Sequence, residues 1–233
     1  MMKEMLTNKI ITGLREADFA RLMPLLQPVS LNTGERLSEA GETVRFIYFP
    51  ESCVISCQAN MQDGKSAEVG MIGFEGMTGI TALVGTRPAV HSLNVSVGGS
   101  ALRVSTDDFR QEVMRGDSVQ KSLLAYTGEY ITQISQRSAC AVFHVVEQRL
   151  AVWLLLLSDR VKEDVIHITQ EQMAEHLGVR RAGVTVVAGA MQEVGAITYR
   201  RGSLHIKNRQ MLAAMACECY AALAVRRHQT TYM

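Results

Sequence analysis

The sequence predicts an α+β chain in three parts: an N-terminal antiparallel β region of the sandwich or barrel type preceded by short helices, one long helix, and a C-terminal winged helix-turn-helix. Three observations carry this reading. Turn signals recur about every 8–12 residues from Val29 to about Thr106 and then nearly vanish. A proline-free stretch with helical apolar spacing follows from Ser118. Finally, "ITQEQMAEHLGVRRAGVTVVAGAMQEVGAI", residues 168–197, holds two helix patterns joined at a glycine.

Residues 1–28 read as helical and end at Pro24 and Pro28. Short β-type runs then alternate with turns: "RFIYF", "CVISCQA" and "SLNVSV" lie between "NTGE", "EAGE", "FPES", "QDGK", "GFEG", "VGTRP" and "VGGS". From Ser118 to about Arg137, Leu123, Tyr130 and Ile134 form an apolar stripe flanked by Leu124 and Ile131. Spacing alone leaves two partners open for it, the β domain of the same chain or a second copy. A further helix, roughly His144 to Arg160, carries the stripe Val146–Leu150–Trp153–Leu154–Leu157. The expected domains are therefore 1–116, 117–140 for the long helix, and 141–233.

In the helix pair, Thr169 and Gln172 have the spacing of a capping box. Met173, Ala174 and Leu177 form its buried face, and Gly178 supplies the stop. The next helix buries Val184, Val187, Ala188, Met191 and Val194. That leaves Arg180, Arg181, Ala182, Thr185, Val186, Gly189 and Gln192 outside. Two arginines at a helix N-terminus oppose its dipole, and Arg180 stands where Ser or Asp would cap better. An external anion would explain both. Downstream, "AITYRRGSLHI" reads as a hairpin tipped by Arg200, Arg201 and Gly202. From 168 to 210 six Lys/Arg face three Glu, a local +3 in a chain of net charge only +1. A basic winged helix-turn-helix of this kind places its second helix in the major groove of double-stranded DNA.

The order of these parts resembles the Crp/Fnr family of bacterial transcription regulators over nearly the whole length. The resemblance lies in "TQEQMAEHLGVRRAGVT", in "FHVVEQRLAVWLLLLSDR", and in "GERLSEAGETVRFIYFPESCVIS". It implies a cyclic-nucleotide-binding-like β-roll, a long helix that dimerises the chain, a two-fold symmetric DNA site, and RNA polymerase as a further partner. In the family's recognition helix an Arg-Glu pair and a second Arg read bases. Here Arg181 matches the first position, but Ala182 and Val186 replace the other two. Arg181 is thus expected on a guanine and Thr185 and Val186 beside a thymine methyl. Arg180, Thr169, Gln170, Arg200 and Arg201 are expected on phosphates.

Glu75 and Arg87 in "GFEGMTGITALVGTRPA" are the candidate effector residues by the same resemblance. Pro88 stands where the family's cyclic-nucleotide binders carry a hydroxyl residue, removing that hydroxyl and a backbone N–H. Cyclic AMP is therefore disfavoured, and the expected effector is an unidentified small molecule. No cofactor and no metal site are assigned. The five cysteines include no CxxC pair and none precedes Cys53, which speaks against the family's N-terminal iron–sulfur cluster. Cys217 and Cys219 in "CECY" read as buried hydrophobes in a reducing cytoplasm, with metal binding or oxidation as the less favoured alternative, and His144 reads as a structural histidine. Haem through His91 or His144 stays open.

Other classes fit less well. "ANMQDGKS" matches a relaxed phosphate loop, but Asp63-Gly64 between strand patterns reads as a hairpin turn. A metal-dependent β-barrel enzyme would need clustered ligands, yet His91 is the only histidine between 29 and 106. No apolar run reaches the roughly 20 residues of a membrane span, so a cytoplasmic, non-enzymatic protein is expected. The alternative is a ligand receptor whose winged helix contacts protein rather than DNA.

Overall fold

The computed structural model describes residues 3–85, 88–161 and 165–224. They form two compact units. Among the described residues, the first comprises 3–57 and 71–132, and the second comprises 58–70 and 133–224.

In the first unit a 3₁₀ turn, Lys3–Met5, precedes α1 (Lys9–Thr12) and α2 (Glu16–Leu22). The side chain of Asn8 caps α1 by accepting from the amides of Ile10 and Ile11. The strands follow as β1 (Gln27–Leu31), β2 (Arg36–Ser38), β3 (Phe46–Pro50), β4 (Val54–Asn60) and β5 (Ser66–Ile72). After α3 (Ile80–Val84) come β6 (Ser92–Val97), β7 (Gly99–Ser105) and α4 (Thr106–Met114). They make two sheets, ordered β1-β7-β3 and β2-β6-β4-β5. Pro28 was expected to end a helix but lies inside β1. Among the described residues this strand pairs only with β7, at a sheet edge, where a residue without an N–H is tolerated. The core gathers Ile11, Leu22, Ile47, Phe49, Phe109 and Leu123, with Phe49 and Phe109 edge to face at 5.3 Å.

The long helix is α5 (Asp117–Phe143). Its two apolar edges have different fates. Val119, Leu123 and Tyr126 are buried in the core of the first unit, with Tyr130 packed against it. Leu124 and Ile131, the residues flanking the expected stripe, are 61% and 58% exposed.

The second unit begins with the tip of the β4–β5 hairpin, where the amide of Met61 donates to Lys65 O at 2.8 Å. The stretch that mimics a phosphate loop is thus a hairpin turn. α6 (Val146–Arg160) is buried all round from Leu150 to Leu157, as suits a central helix rather than one with a single apolar stripe. β8 (Val165–His167), α7 (Gln170–Leu177), α8 (Arg181–Glu193), β9 (Ile197–Arg200) and β10 (Ser203–Ile206) follow, with sheet order β8-β10-β9. α9 (Arg209–Met215) and α10 (Cys219–Leu223) close the described chain. Among the described residues no helix is long and apolar enough to cross a membrane.

Candidate nucleic-acid interface

The helix pair is built by its local signals. Thr169 Oγ1 accepts from the amide of Gln172, whose side chain accepts in return from the amide of Thr169. Gly178 ends α7 with φ +63°, and a Cβ there would stand 3.1 Å from the Cβ of Ala67, so both backbone and packing favour glycine. Arg149 reaches from α6 to the carbonyl oxygen of Leu177 and satisfies that end of α7. On α8, Val184, Ala188 and Met191 are fully buried. Val194, expected on this face, sits at the C-terminal cap and is 50% exposed, because the helix stops before completing another turn.

The outer face of α8 carries the expected residues. Arg180 is its N-terminal cap and makes no side-chain capping bond. Arg181 is exposed, with Glu171 Oε2 4.0 Å from its Nε. Thr185 lies within reach of two acceptors, Gln170 Oε1 at 2.7 Å and Arg181 O at 3.1 Å; its single hydroxyl proton serves one at a time. Val186 is 72% exposed, and Ala182 beside it is open. A glycine inside a helix invites the idea that another helix packs closely there, but a Cβ at Gly189 would meet nothing within 4 Å among the described residues.

The wing is a two-residue hairpin. Arg200 pairs with Ser203, leaving Arg201 (φ +50°) and Gly202 (φ +80°) as the turn. Positive φ at both positions is the type I′ arrangement that matches strand twist. Asn is the usual first residue there; an arginine adopts this conformation at a cost. Gln192 Oε1 accepts from the amide of Tyr199, tying α8 to the wing.

Behind this face lies a buried polar cluster that sequence reasoning missed. The carboxylate of Glu68 is fully buried, with Arg137 Nη2 at 2.7 Å, His176 Nδ1 at 3.0 Å and the indole N–H of Trp153 donating at 3.0 Å. The Trp153 and His176 rings stack at 4.9 Å. The cleft beside them encloses about 180 Å³, below the ~300 Å³ at which small-molecule pockets usually begin. A second cluster brings together Cys140, His144, Cys217 and Cys219. Burial and the neighbouring thiols push the Cys140 thiol up to about 12. Of the two effector candidates, Glu75 is buried and accepts from the Gly73 amide at 3.2 Å, while Arg87 lies outside the described residues.

Residues 148–215 match the family model of the Crp-like helix-turn-helix domain. The chain also resembles solved structures. FixK2 of Bradyrhizobium japonicum is 13% identical, covering 82% of this chain and 98% of its own, with a TM-score of 0.70. The c-di-GMP-responsive global regulator CLP of Xanthomonas campestris is 14% identical, with coverage of 82% and 99% and a TM-score of 0.67. A CRP-family transcriptional regulator of Thermus thermophilus is 15% identical, with coverage of 81% and 96% and a TM-score of 0.67. No curated protein matches by sequence. The chain therefore has the fold of these Crp/Fnr-type structures, and residues 148–215 form a Crp-like helix-turn-helix domain.

Proposed function

We propose that the chain acts as a cytoplasmic homodimer that reads a two-fold symmetric site on double-stranded DNA, under control of an unidentified effector of the β-roll. The observation that carries this is the outer face of α8. It is exposed and holds Arg180 and Arg181 at its start, without an acidic residue in its first turn. Arg181 pairs with the N7 and O6 edge of a guanine, and Thr185 and Val186 lie against a thymine methyl. Arg180, Arg200 and Arg201 meet phosphates. Thr169 and Gln170 serve the same end at the start of α7, where the capping box fixes the first turn and leaves its leading amides toward the backbone.

Dimerisation fits the exposed edge of α5. Leu124, Ile131 and Ser138 repeat at seven-residue intervals, with Gly128, Ser135 and Val142 on the alternate positions, and all six are exposed. This is the spacing of a coiled-coil seam with small residues that allow close approach. Half-sites would then fall about one helical turn apart. An effector acts by binding one arrangement of the dimer more tightly than another. RNA polymerase is the further partner expected of a transcription regulator.

The test is selection of genomic fragments by the purified protein, followed by affinity against salt for the winner, beside Arg181→Ala. The expected result is a palindromic winner whose affinity falls steeply with salt, with discrimination at one base position reduced by about 1–3 kcal/mol in the variant. Selection is repeated with added cell-extract metabolites. Enrichment only then shows that the effector is required; enrichment in neither arm overturns DNA reading in favour of a protein partner for the winged helix.

A further inference from the structure

Four potential metal ligands from two distant parts of the sequence meet at the end of α5. Cys140 lies in its last turn, and the amide of His144 donates to the carbonyl of Cys140 at 3.1 Å, continuing the helical pattern. Residues four apart then stand on the same side. Cys217 and Cys219 flank Glu218 where the chain enters α10. All three cysteines are buried, and the His144 side chain is 16% exposed.

The separations suit one ion. A tetrahedral Zn–S bond of about 2.3 Å places neighbouring sulfur ligands about 3.8 Å apart. Cys140 Sγ and Cys217 Sγ are 3.6 Å apart, as are Cys219 Sγ and His144 Nδ1, and all four ligand atoms lie within 4.8 Å of one another. A four-iron cluster holds its cysteines on separate irons and spreads them farther. Magnesium and calcium require oxygen ligands. Three sulfurs and an imidazole in tetrahedral array are a zinc set.

The surroundings have the features of a ligand shell. His144 presents Nδ1 to the cluster, while its Nε2 is 3.3 Å from Glu218 Oε1. A carboxylate on the far nitrogen fixes the tautomer that leaves Nδ1 to bind metal. The side-chain amide of Gln136 donates to Cys219 Sγ at 3.1 Å.

We propose that Cys140, His144, Cys217 and Cys219 bind one Zn²⁺ ion that fastens the C-terminal segment to the end of α5. Four protein ligands leave no open position, so the site is structural and not catalytic. It is independent of how the winged helix meets its partner.

The full-length protein, purified with reductant, is analysed for metal by elemental mass spectrometry. The expected content is about one zinc per chain, and Co²⁺ put in its place gives thiolate-to-cobalt absorption. Cys219→Ser and His144→Ala lose this zinc, whereas Cys53→Ser, outside the cluster, retains it. Glu218→Gln keeps all four ligands and the circular dichroism spectrum, yet weakens zinc about 10–100-fold against a competing chelator. The proposal is overturned if the folded, metal-free protein takes up neither Zn²⁺ nor Co²⁺. It is equally overturned by iron with acid-labile sulfide, by a Cys140–Cys217 disulfide in the reduced preparation, or by full zinc retention in Cys219→Ser.

Discussion

Arg137 and Arg181 carry the same charged group in opposite surroundings. Arg137 is 14% exposed, and its guanidinium holds the buried carboxylate of Glu68 at 2.7 Å. Arg181 is 66% exposed, its closest carboxylate partner stands 4.0 Å away, and it sits at the helix end where positive charge is disfavoured. The first pair is satisfied within the chain and contributes to structure. On the proposed reading the second serves an external anion, since among the described residues its carboxylate partner, Glu171, stands at the 4.0 Å limit of an ion pair. Arg201 belongs with Arg181: it occupies a left-handed turn position better suited to Asn.

The largest effect should come from the buried pair. Glu68→Ala removes the carboxylate that faces Arg137 and His176 and accepts from the Trp153 indole, leaving the mostly buried guanidinium the backbone carbonyl of residue 68, at 3.2 Å, in place of a counter-charge. Breaking such a pair from one side costs about 3–5 kcal/mol. Trp153 is the only tryptophan, so its fluorescence during urea unfolding reads this unit directly. Arg181→Ala, measured alongside, should change stability by no more than about 0.5 kcal/mol. Equal destabilisation by the two substitutions would break the distinction between structural and reserved arginines.

Arg201→Asn sharpens it. Asn suits the type I′ turn, so the wing should fold at least as well as in the wild type. DNA affinity should nonetheless fall about uniformly across sequences, and the slope of log affinity against log salt should drop by about 1. Binding that is unchanged would make Arg201 a tolerated turn residue and nothing more.

How much of this could be read from the sequence depended on how local each signal was. Thr169 with Gln172, Gly178, and Arg201-Gly202 were legible because caps and turns are written within a few residues. The edge strand through Pro28 was not, since whether a strand lies at an edge is decided by its neighbours in the sheet. On α5 the apolar pattern was visible, but which edge is covered depends on the core it meets, and Leu124 and Ile131 turned out to be the open side. Glu68 and His176 gave no signal: they lie in an ordinary strand and an ordinary helix and acquire meaning only by meeting Trp153 and Arg137. The cysteine cluster is similar. Its pieces, C-x₃-H at a helix end and C-x-C in the tail, are separated by about 70 residues and lack a CxxC motif. Two such halves found together could have raised the question without settling the geometry.

A third buried charge, in the other unit, tests whether burial alone makes an ion pair structural. Asp18 is 3% exposed and accepts from the amide and hydroxyl of Ser118 and from Arg21, joining α2 to the start of α5. The Ser118 hydroxyl, above all, holds the carboxyl below its ordinary value of 3.8, with burial opposing and the Ser118 amide and Arg21 reinforcing. A carboxylate whose folded value is depressed stabilises the protein at pH above the unfolded value. That contribution is lost as pH falls below 3.8 and through the lower folded value. Asp18→Asn isolates this contribution. The stability difference between wild type and variant should be largest near neutrality and shrink as the acid limb is descended. A difference that stays constant across that range would mean Asp18 acts through shape and hydrogen bonding rather than charge, placing it apart from both Arg137 and Arg181.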